Sequence, residues 1–272
     1  MARKKVEGIC GICGNFGSLT YEHIPPRAAF NTGKFISIPS EIAYHLGPDD
    51  FPKGPIFQGG IGMHSLCGQC NNLTGHRYGT AFIELAYQGA MILQQSKYKP
   101  SLTYPFHLFP LRVLKQIISM FLSVNHDFPF REMYPELSKF VINRDEKYLD
   151  PKYKIYIYYN HEGTTRFHKW AQIGDLKSQD YIKLTEISYP PFGFVLTLDN
   201  SPMTEKRLYD ISFFSKYSYN EWADVNLKLN VLPTHLHIPF DYRSKKEILK
   251  AIDDSKNYIK LKSDSQNNSS IT

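Results

Sequence analysis

The chain has 272 residues, of which 42% are hydrophobic and 14% aromatic, so it is long and apolar enough to bury a core. No stretch approaches the roughly 18 apolar residues that cross a bilayer, and the start, MARKKVEG, lacks the apolar region of a secretory signal. We therefore expect a cytoplasmic protein with no membrane partner, whose formal charge of +6 suits a polyanion without identifying one.

All four cysteines form two Cys-x-x-Cys pairs, Cys10 with Cys13 and Cys67 with Cys70. Two thiolates at this spacing bind one Zn²⁺ from a tight turn, and two such turns complete a tetrahedral shell. Two disulfides, or four ordinary buried thiols, are the alternatives, but nothing in the sequence marks the chain for export. The pattern therefore predicts a structural zinc whose two knuckles bracket a functional segment.

The N-terminal elements follow from turn residues and periodicity. Residues 6–22 predict a knuckle and then a short strand, which ends at Glu22 and His23. Residues 27–62, rich in proline and glycine, predict a long irregular insertion with a brief helix near 40–45. Residues 71–95 lack proline and predict one helix, or two joined near Gly79.

The remainder predicts helices followed by an antiparallel sheet. The prolines at 100, 105 and 110 predict an exposed connector, and residues 111–124 predict an amphipathic helix. Alternating aromatic and β-branched residues predict strands near 153–159, 164–173, 181–187, 192–198, 210–214 and 225–231. Residues 243–262 predict a basic helix, and the polar residues 263–272 predict a disordered tail.

The pattern C-x2-C-x8-E-H-I-P-P, followed by L-C-x2-C-N, resembles that of the HNH nucleases, whose ββα-metal site often carries a zinc-binding four-cysteine variant. The resemblance covers about residues 7–80. It implies a zinc-braced ββα-metal module, which we place in residues 1–96. With the helices and strands predicted for the remainder, we expect an α+β protein whose residues 97–262 form an α+β domain of unknown specificity with a mainly antiparallel sheet.

In that family an acidic residue and a histidine end a β-hairpin, and an asparagine or histidine comes from the next helix. Glu22, His23 and Asn71 stand in those places. The family's central asparagine, nine residues before the terminal one, is Gly62 here, and His64 is a candidate replacement.

Phosphodiester hydrolysis needs an activated water and positive charge at the transition state. A histidine, with an unperturbed pKa of about 6.5, suits the base, which would be His23. Glu22 and Asn71 offer hard oxygen ligands to a catalytic Mg²⁺ or Mn²⁺. Further candidates are a phosphate clamp of Arg27 and Arg77, and additional metal ligands at His64, Asn72 and His76, of which the last two share a helix face.

Each candidate also has an ordinary structural interpretation. His23 and Glu22 could seal a strand end, Asn71 could cap a helix, and the arginines could be solvated. Aromatic residues at strand spacing more often form core than stack on bases, although Trp222, in Tyr-Asn-Glu-Trp, is the best exposed candidate.

The sequence predicts a metal-dependent endonuclease that acts on nucleic acid, with DNA favoured. The resemblance implies a restriction, phage-defence or mobile-element setting, and a homodimer stays open. The alternative is a non-catalytic zinc module that binds nucleic acid or protein. A zinc deaminase is disfavoured, because it needs H-x-E and a later P-C-x-x-C, whereas Leu66 precedes Cys67 here.

Overall fold

The fold begins with a small antiparallel sheet in the computed structural model, which describes residues 5–47, 49–50, 53–174 and 181–269. Its elements in chain order are β1 (Val6–Ile9), β2 (Phe16–His23), β3 (Lys34–Ile36), α1 (Ser40–Ala43), β4 (Ile56–Gln58) and β5 (Gly62–Cys67). The sheet has the order β1-β2-β5, while β3 and β4 pair with each other inside the insertion. The brief helix predicted near residues 40–45 is confirmed.

A helical layer follows the sheet. It consists of α2 (Gly68–Thr74), a π-helical segment (Gly75–Gly79) and α3 (Thr80–Gln95), and then, after β6 (Ser101–Leu108), of α4 (Pro110–Val124), α5 (Phe130–Met133) and α6 (Pro135–Ile142). The helix predicted over residues 71–95 is therefore continuous, with a π-helical turn in place of a break near Gly79.

A larger antiparallel sheet covers the other side. Its strands are β7 (Lys154–Tyr159), β8 (Arg166–Gly174), β9 (Tyr181–Tyr189), β10 (Phe192–Leu198) and β11 (Tyr209–Asp210), in the order β11-β7-β10-β9-β8. The chain continues with β12 (Ala223–Asn230) and α7 (Lys245–Ser269). The protein thus combines helices with antiparallel sheet, and the predicted α+β class is confirmed.

Three predictions for this part are wrong in detail. The expected connector at residues 100–110 is largely the strand β6, which pairs with β12, so β12 lies outside the five-stranded sheet. Because β6 has a strand partner on one side only, Pro105 fits there without interrupting a second ladder. Residues 210–214 are mostly a 3₁₀ helix (Ser212–Lys216) rather than a strand. The helix α7 continues beyond residue 262 to Ser269.

The helix predicted over residues 111–124 is confirmed as α4, and its polar side is buried as well as its apolar side. All its residues except Arg112 are buried, because α4 packs against β5, α3, α6 and the large sheet. One hydrophobic core contains residues from both predicted domains, for example Leu85 and Leu122, and the division near residue 96 stays a prediction. None of the described helices has the length and apolarity of a membrane span.

Lys115 of α4 is a fully buried cation. Its Nζ donates hydrogen bonds to the carbonyl oxygens of Phe140 and Asn143, at 2.5 and 2.6 Å. Burial lowers the pKa of Lys115 to about 7, although the nearby carboxylates of Glu146 and Asp145 oppose that shift. The protein therefore holds a titratable group whose charge the core disfavours.

We expect the free energy of unfolding to rise between pH 7.5 and pH 9.5. In this window the Lys115 ammonium is lost from the folded chain but kept in the unfolded chain, whose lysine pKa is about 10.4. The unfolded state then binds more protons, so stability increases by on the order of 1 kcal/mol per pH unit. Urea titrations at several pH values measure this slope, and Lys115→Met should flatten it. An unchanged slope in the variant would contradict the assignment.

A buried ion pair fixes the segment that precedes α7. Arg166 Nη2 lies 2.9 Å from Glu186 Oε1, and both side chains are almost inaccessible to solvent. The hydroxyls of Tyr158 and Tyr242 donate to the same oxygen, at 2.8 and 2.9 Å. Burial opposes ionisation, but the Arg166 guanidinium, with His168 and the amide of Phe240, holds the pKa of Glu186 below its usual range. The pair therefore ties this segment to the large sheet.

Candidate metal centre and active-site cleft

The two cysteine pairs meet at one end of the small sheet. Cys10 and Cys13 lie in the turn between β1 and β2, Cys67 ends β5, and Cys70 lies in α2. All four Sγ atoms lie within 4.8 Å of one another, with Cys13 and Cys67 at 3.8 Å, and none forms a disulfide. Tetrahedral thiolates at about 2.3 Å from zinc are about 3.8 Å apart. The cluster could therefore hold a metal such as zinc.

The turn that carries the first pair is tightly constrained. The amide of Gly14 donates to the carbonyl of Cys10 at 2.9 Å, and Gly14 has a positive φ of 76°. A Cβ on Gly11 would approach the carbonyl oxygen of Leu122 in α4 to 2.7 Å. A hydrogen bond from the Cys70 thiol lowers the pKa of Cys10 to about 4, and the same contact raises the pKa of Cys70. The turn is thus set against the core helix.

A cleft of about 310 Å³ lies between the end of β2 and the helix that begins with α2. Its polar lining includes Glu22, His23, Arg27, Asn71 and Gln116. Adjacent strand residues normally face opposite ways, but the pairing of β2 with β5 shifts register between Thr20 and Tyr21. Glu22 and His23 both line the cleft, and the structure brings the three motif residues together.

The His23 ring is oriented by the insertion. Its Nε2 lies 3.2 Å from the carbonyl oxygen of Gly59, and its edge packs against Tyr21 with ring centroids 5.1 Å apart. A carbonyl oxygen only accepts hydrogen bonds, so this contact assigns the proton of a neutral imidazole to Nε2. Nδ1 is then the nitrogen that can accept a proton.

The Glu22 carboxylate is half-buried at the cleft. Among the residues that the structure describes, none donates a hydrogen bond to it or forms an ion pair with it. Burial raises the pKa of Glu22 to about 7. A bound cation would stabilise the charged form of such a desolvated carboxylate.

Asn71 joins the helix to β2. Its Nδ2 donates to Thr20 Oγ1 at 2.9 Å, and that hydroxyl donates to the carbonyl of Leu66 at 2.9 Å. The residue at the N-cap of α2 is Cys67, so Asn71 does not cap the helix. With its nitrogen used in this way, the side chain keeps its oxygen for a ligand.

No protein-family model matches the chain, and no curated protein or solved structure is significantly similar to it. Function must therefore be inferred from the geometry of the cysteine cluster and the cleft.

The other predicted site residues are placed differently. Arg27 is exposed and lines the cleft. Arg77 does not line it, and its Nη1 donates to the carbonyl of Ile142 at 2.9 Å. Asn72 and His76 are exposed and lie outside the cleft lining. His64 packs on the Tyr21 ring with centroids 5.3 Å apart, and lines a separate cavity of about 430 Å³.

Gly62 cannot be replaced by the family's central asparagine in this backbone. It pairs with His23, and a Cβ there would lie 2.0 Å from the carbonyl oxygen of Glu22. Asn31, which the sequence analysis missed, is fully buried in the insertion. Its Nδ2 donates to the carbonyls of Pro25 and Ile61 at 2.8 and 2.7 Å, and its Oδ1 accepts from the amide of Ile61 at 2.8 Å. Asn31 therefore joins the segment after His23 to the start of β5.

We expect Asn31→Ala to lower the free energy of unfolding by about 2–3 kcal/mol, because it leaves buried backbone groups unpaired. Urea denaturation measures this loss. The matched control is Asn72→Ala, which alters an exposed asparagine and should change stability by less than about 0.5 kcal/mol. Equal stability of the two variants would show that the Asn31 contacts are not important.

Gln116 is the second residue that was missed. It comes from α4, lines the cleft, and is 1% exposed. Its Oε1 is buried and has no hydrogen-bond partner among the residues with a described position. The cleft is therefore built from residues on both sides of the predicted domain boundary.

Proposed function

We propose that the chain is a metal-dependent endonuclease of the HNH type, which hydrolyses phosphodiester bonds of nucleic acid, with DNA favoured. The observation that supports it is one cleft that holds His23, whose Nε2 contacts Gly59, the side chain of Asn71, and the carboxylate of Glu22, which has no ion-pair partner in the described part of the chain. The four-cysteine cluster lies on the same strand pair and helix.

In this proposal His23 Nδ1 takes the proton from the attacking water, while the contact with Gly59 keeps the ring in place. Glu22 and the Asn71 oxygen would hold a catalytic Mg²⁺ or Mn²⁺. Such an ion supplies positive charge beside the scissile phosphate. Arg27, exposed at the cleft, binds a neighbouring phosphate.

The cysteine cluster has a different role in this scheme. Four thiolates saturate a tetrahedral Zn²⁺ and leave no open position, so zinc at this site is structural. Catalysis then depends on the second ion at Glu22 and Asn71. Mild chelation should therefore stop cleavage while the zinc stays bound.

The biological setting is part of the proposal and rests on the HNH resemblance alone. Restriction, phage defence and mobile-element activity all provide intracellular DNA as a substrate. A cytoplasmic location and a homodimer are compatible with each of them.

Cleavage of a supercoiled plasmid with added Mg²⁺, Mn²⁺ or EDTA tests the proposal. We expect metal-dependent cleavage by the wild type and its loss in Glu22→Gln. Glu7→Gln, which changes an exposed glutamate of the same sheet away from the cleft, should keep full activity. Binding without cleavage of single- or double-stranded DNA or RNA would instead support the non-catalytic zinc module.

A further inference from the structure

A stack of aromatic rings surrounds Arg112, the only residue of α4 that is not buried. The guanidinium carbon lies 4.2 Å from the ring centroids of both Phe109 and Tyr219. Its Nε and Nη2 donate to the Tyr219 carbonyl and to Asn220 Oδ1, each at 2.8 Å. Trp222 packs against Phe109 with centroids 5.0 Å apart, and is 51% exposed. We call Phe109, Arg112, Tyr219 and Trp222 the Arg112 stack.

The Arg112 stack lies next to the cleft. Gln116, which lines the cleft, follows Arg112 by four residues, so the two share one face of α4 about one turn apart. The Tyr219 hydroxyl donates to the carbonyl of Arg77 at 3.1 Å. Arg77 lies between Gly75 and Gly79, which both line the cleft. The stack and the cleft are therefore built on the same two helical segments, α4 and Gly75–Gly79.

The surroundings of the stack favour an anionic polymer. Arg77, Arg112 and Lys147 form no ion pair with the residues that the structure describes, and Lys147 Nζ lies 3.2 Å from Ser218 Oγ. Two of the nearby carboxylates are paired, Asp145 with Arg144 and Asp224 with His107, while Glu221, which precedes Trp222, accepts a hydrogen bond from the amide of Ser218 at 2.7 Å. Unpaired cations close to an exposed indole match the chemistry with which proteins bind single strands.

We propose that the Arg112 stack binds an unpaired base of the nucleic-acid strand whose phosphate enters the cleft, with Trp222 as the stacking surface. This inference rests on the proposed function and specifies its substrate class. A duplex keeps its base faces inside its own stack, so the ligand is a single strand or a locally opened one. Arg112 holds the rings of Phe109 and Tyr219 in place and adds charge.

Tryptophan fluorescence tests the contact directly. The chain has two tryptophans, so Trp170→Phe leaves Trp222 as the only reporter, and Trp222→Phe leaves Trp170. Both proteins are titrated with a ten-nucleotide oligothymidylate in buffer without added Mg²⁺ or Mn²⁺, which prevents metal-dependent cleavage and leaves the zinc in place. We expect quenching in Trp170→Phe and none in Trp222→Phe. A duplex of similar length should bind without quenching.

Affinity provides the second measurement. We expect Trp222→Ala to raise the Kd for labelled oligothymidylate about tenfold, and to leave the Kd for the duplex unchanged. Tyr258→Ala is the matched control, because it removes an exposed aromatic ring from α7. Tyr258→Ala should bind both ligands as the wild type does.

The outcomes separate this inference from the nuclease itself. In one outcome the wild type cleaves DNA while His23→Ala does not, with no quenching in Trp170→Phe and an unchanged Kd in Trp222→Ala. That result would overturn base binding by the Arg112 stack and would leave the proposed endonuclease in place. Quenching and a raised Kd without cleavage would support the stack and overturn the endonuclease. If Trp222→Ala raises the Kd for the duplex as much as the Kd for the single strand, the choice of an unpaired base is overturned.

Discussion

Replacing His23 with alanine is expected to slow plasmid cleavage by about a thousandfold while the zinc content stays the same. The imidazole lines the cleft, and the contact of Nε2 with the Gly59 carbonyl leaves Nδ1 as the nitrogen that accepts a proton from the attacking water. It lies at the end of β2 opposite Gly62, whereas the cysteines gather at the other end of the β2–β5 ladder, where Leu19 pairs with Cys67. Initial cleavage rates and the zinc content of each protein measure the two effects.

Two histidine variants serve as controls. His64→Ala removes a ring that contacts Tyr21 but lies outside the cleft, and His76→Ala removes an exposed ring. Both should cleave at nearly the wild-type rate. Equal cleavage by His23→Ala and the wild type would point to a contaminating nuclease or to a different site, and would remove His23 from the mechanism.

Loss of the metal at the cysteine cluster is expected to unfold the protein. Structural zinc sites bind with about 10–16 kcal/mol, which is as large as the 5–15 kcal/mol stability of an ordinary domain. The first cysteine turn packs directly against α4, so unfolding there exposes the shared core. We expect Cys67→Ser, or removal of zinc by a strong chelator, to abolish the cooperative thermal transition followed by circular dichroism.

The matched control is Gln69→Ala, which changes an exposed residue between the two cysteines of the second pair. It should keep about one zinc per chain and unfold like the wild type. A wild-type protein that melts cooperatively at the same temperature with and without zinc would show that the cluster is not a structural metal site.

Local features of the site could be predicted from sequence, because they depend on short spacings. The Cys-x-x-Cys turns and the Glu22-His23 strand end need only neighbouring residues to define them. The phase of the following helix could not be predicted in this way. Asn71, Gly75 and Gly79 line the cleft at the usual four-residue spacing, whereas Asn72 and His76 lie one position further round the helix and do not line it.

Long-range packing explains the rest of what the sequence did not indicate. Gln116 reaches the cleft only because α4 packs beneath the helix that carries Asn71, and no local pattern marks it. Asn31 lies in an irregular insertion, where its three backbone contacts come from both ends of the segment. The strand β6 pairs with β12, which lies more than a hundred residues later in the chain. No local pattern indicates that pairing, and the prolines in and around β6 predicted a connector instead.

The central position of α4 limits how far the chain can be shortened without losing the cysteine cluster and the cleft. The same helix supports the cysteine turn through Leu122, the floor of the cleft through Gln116, and the aromatic platform through Arg112. A fragment cut after residue 96 would keep every motif residue, yet it would lose this scaffold and expose the apolar side chains of Phe82, Leu85 and Leu93. A portable version of the cysteine cluster and cleft would need α4, and the strands that enclose it, to stay soluble.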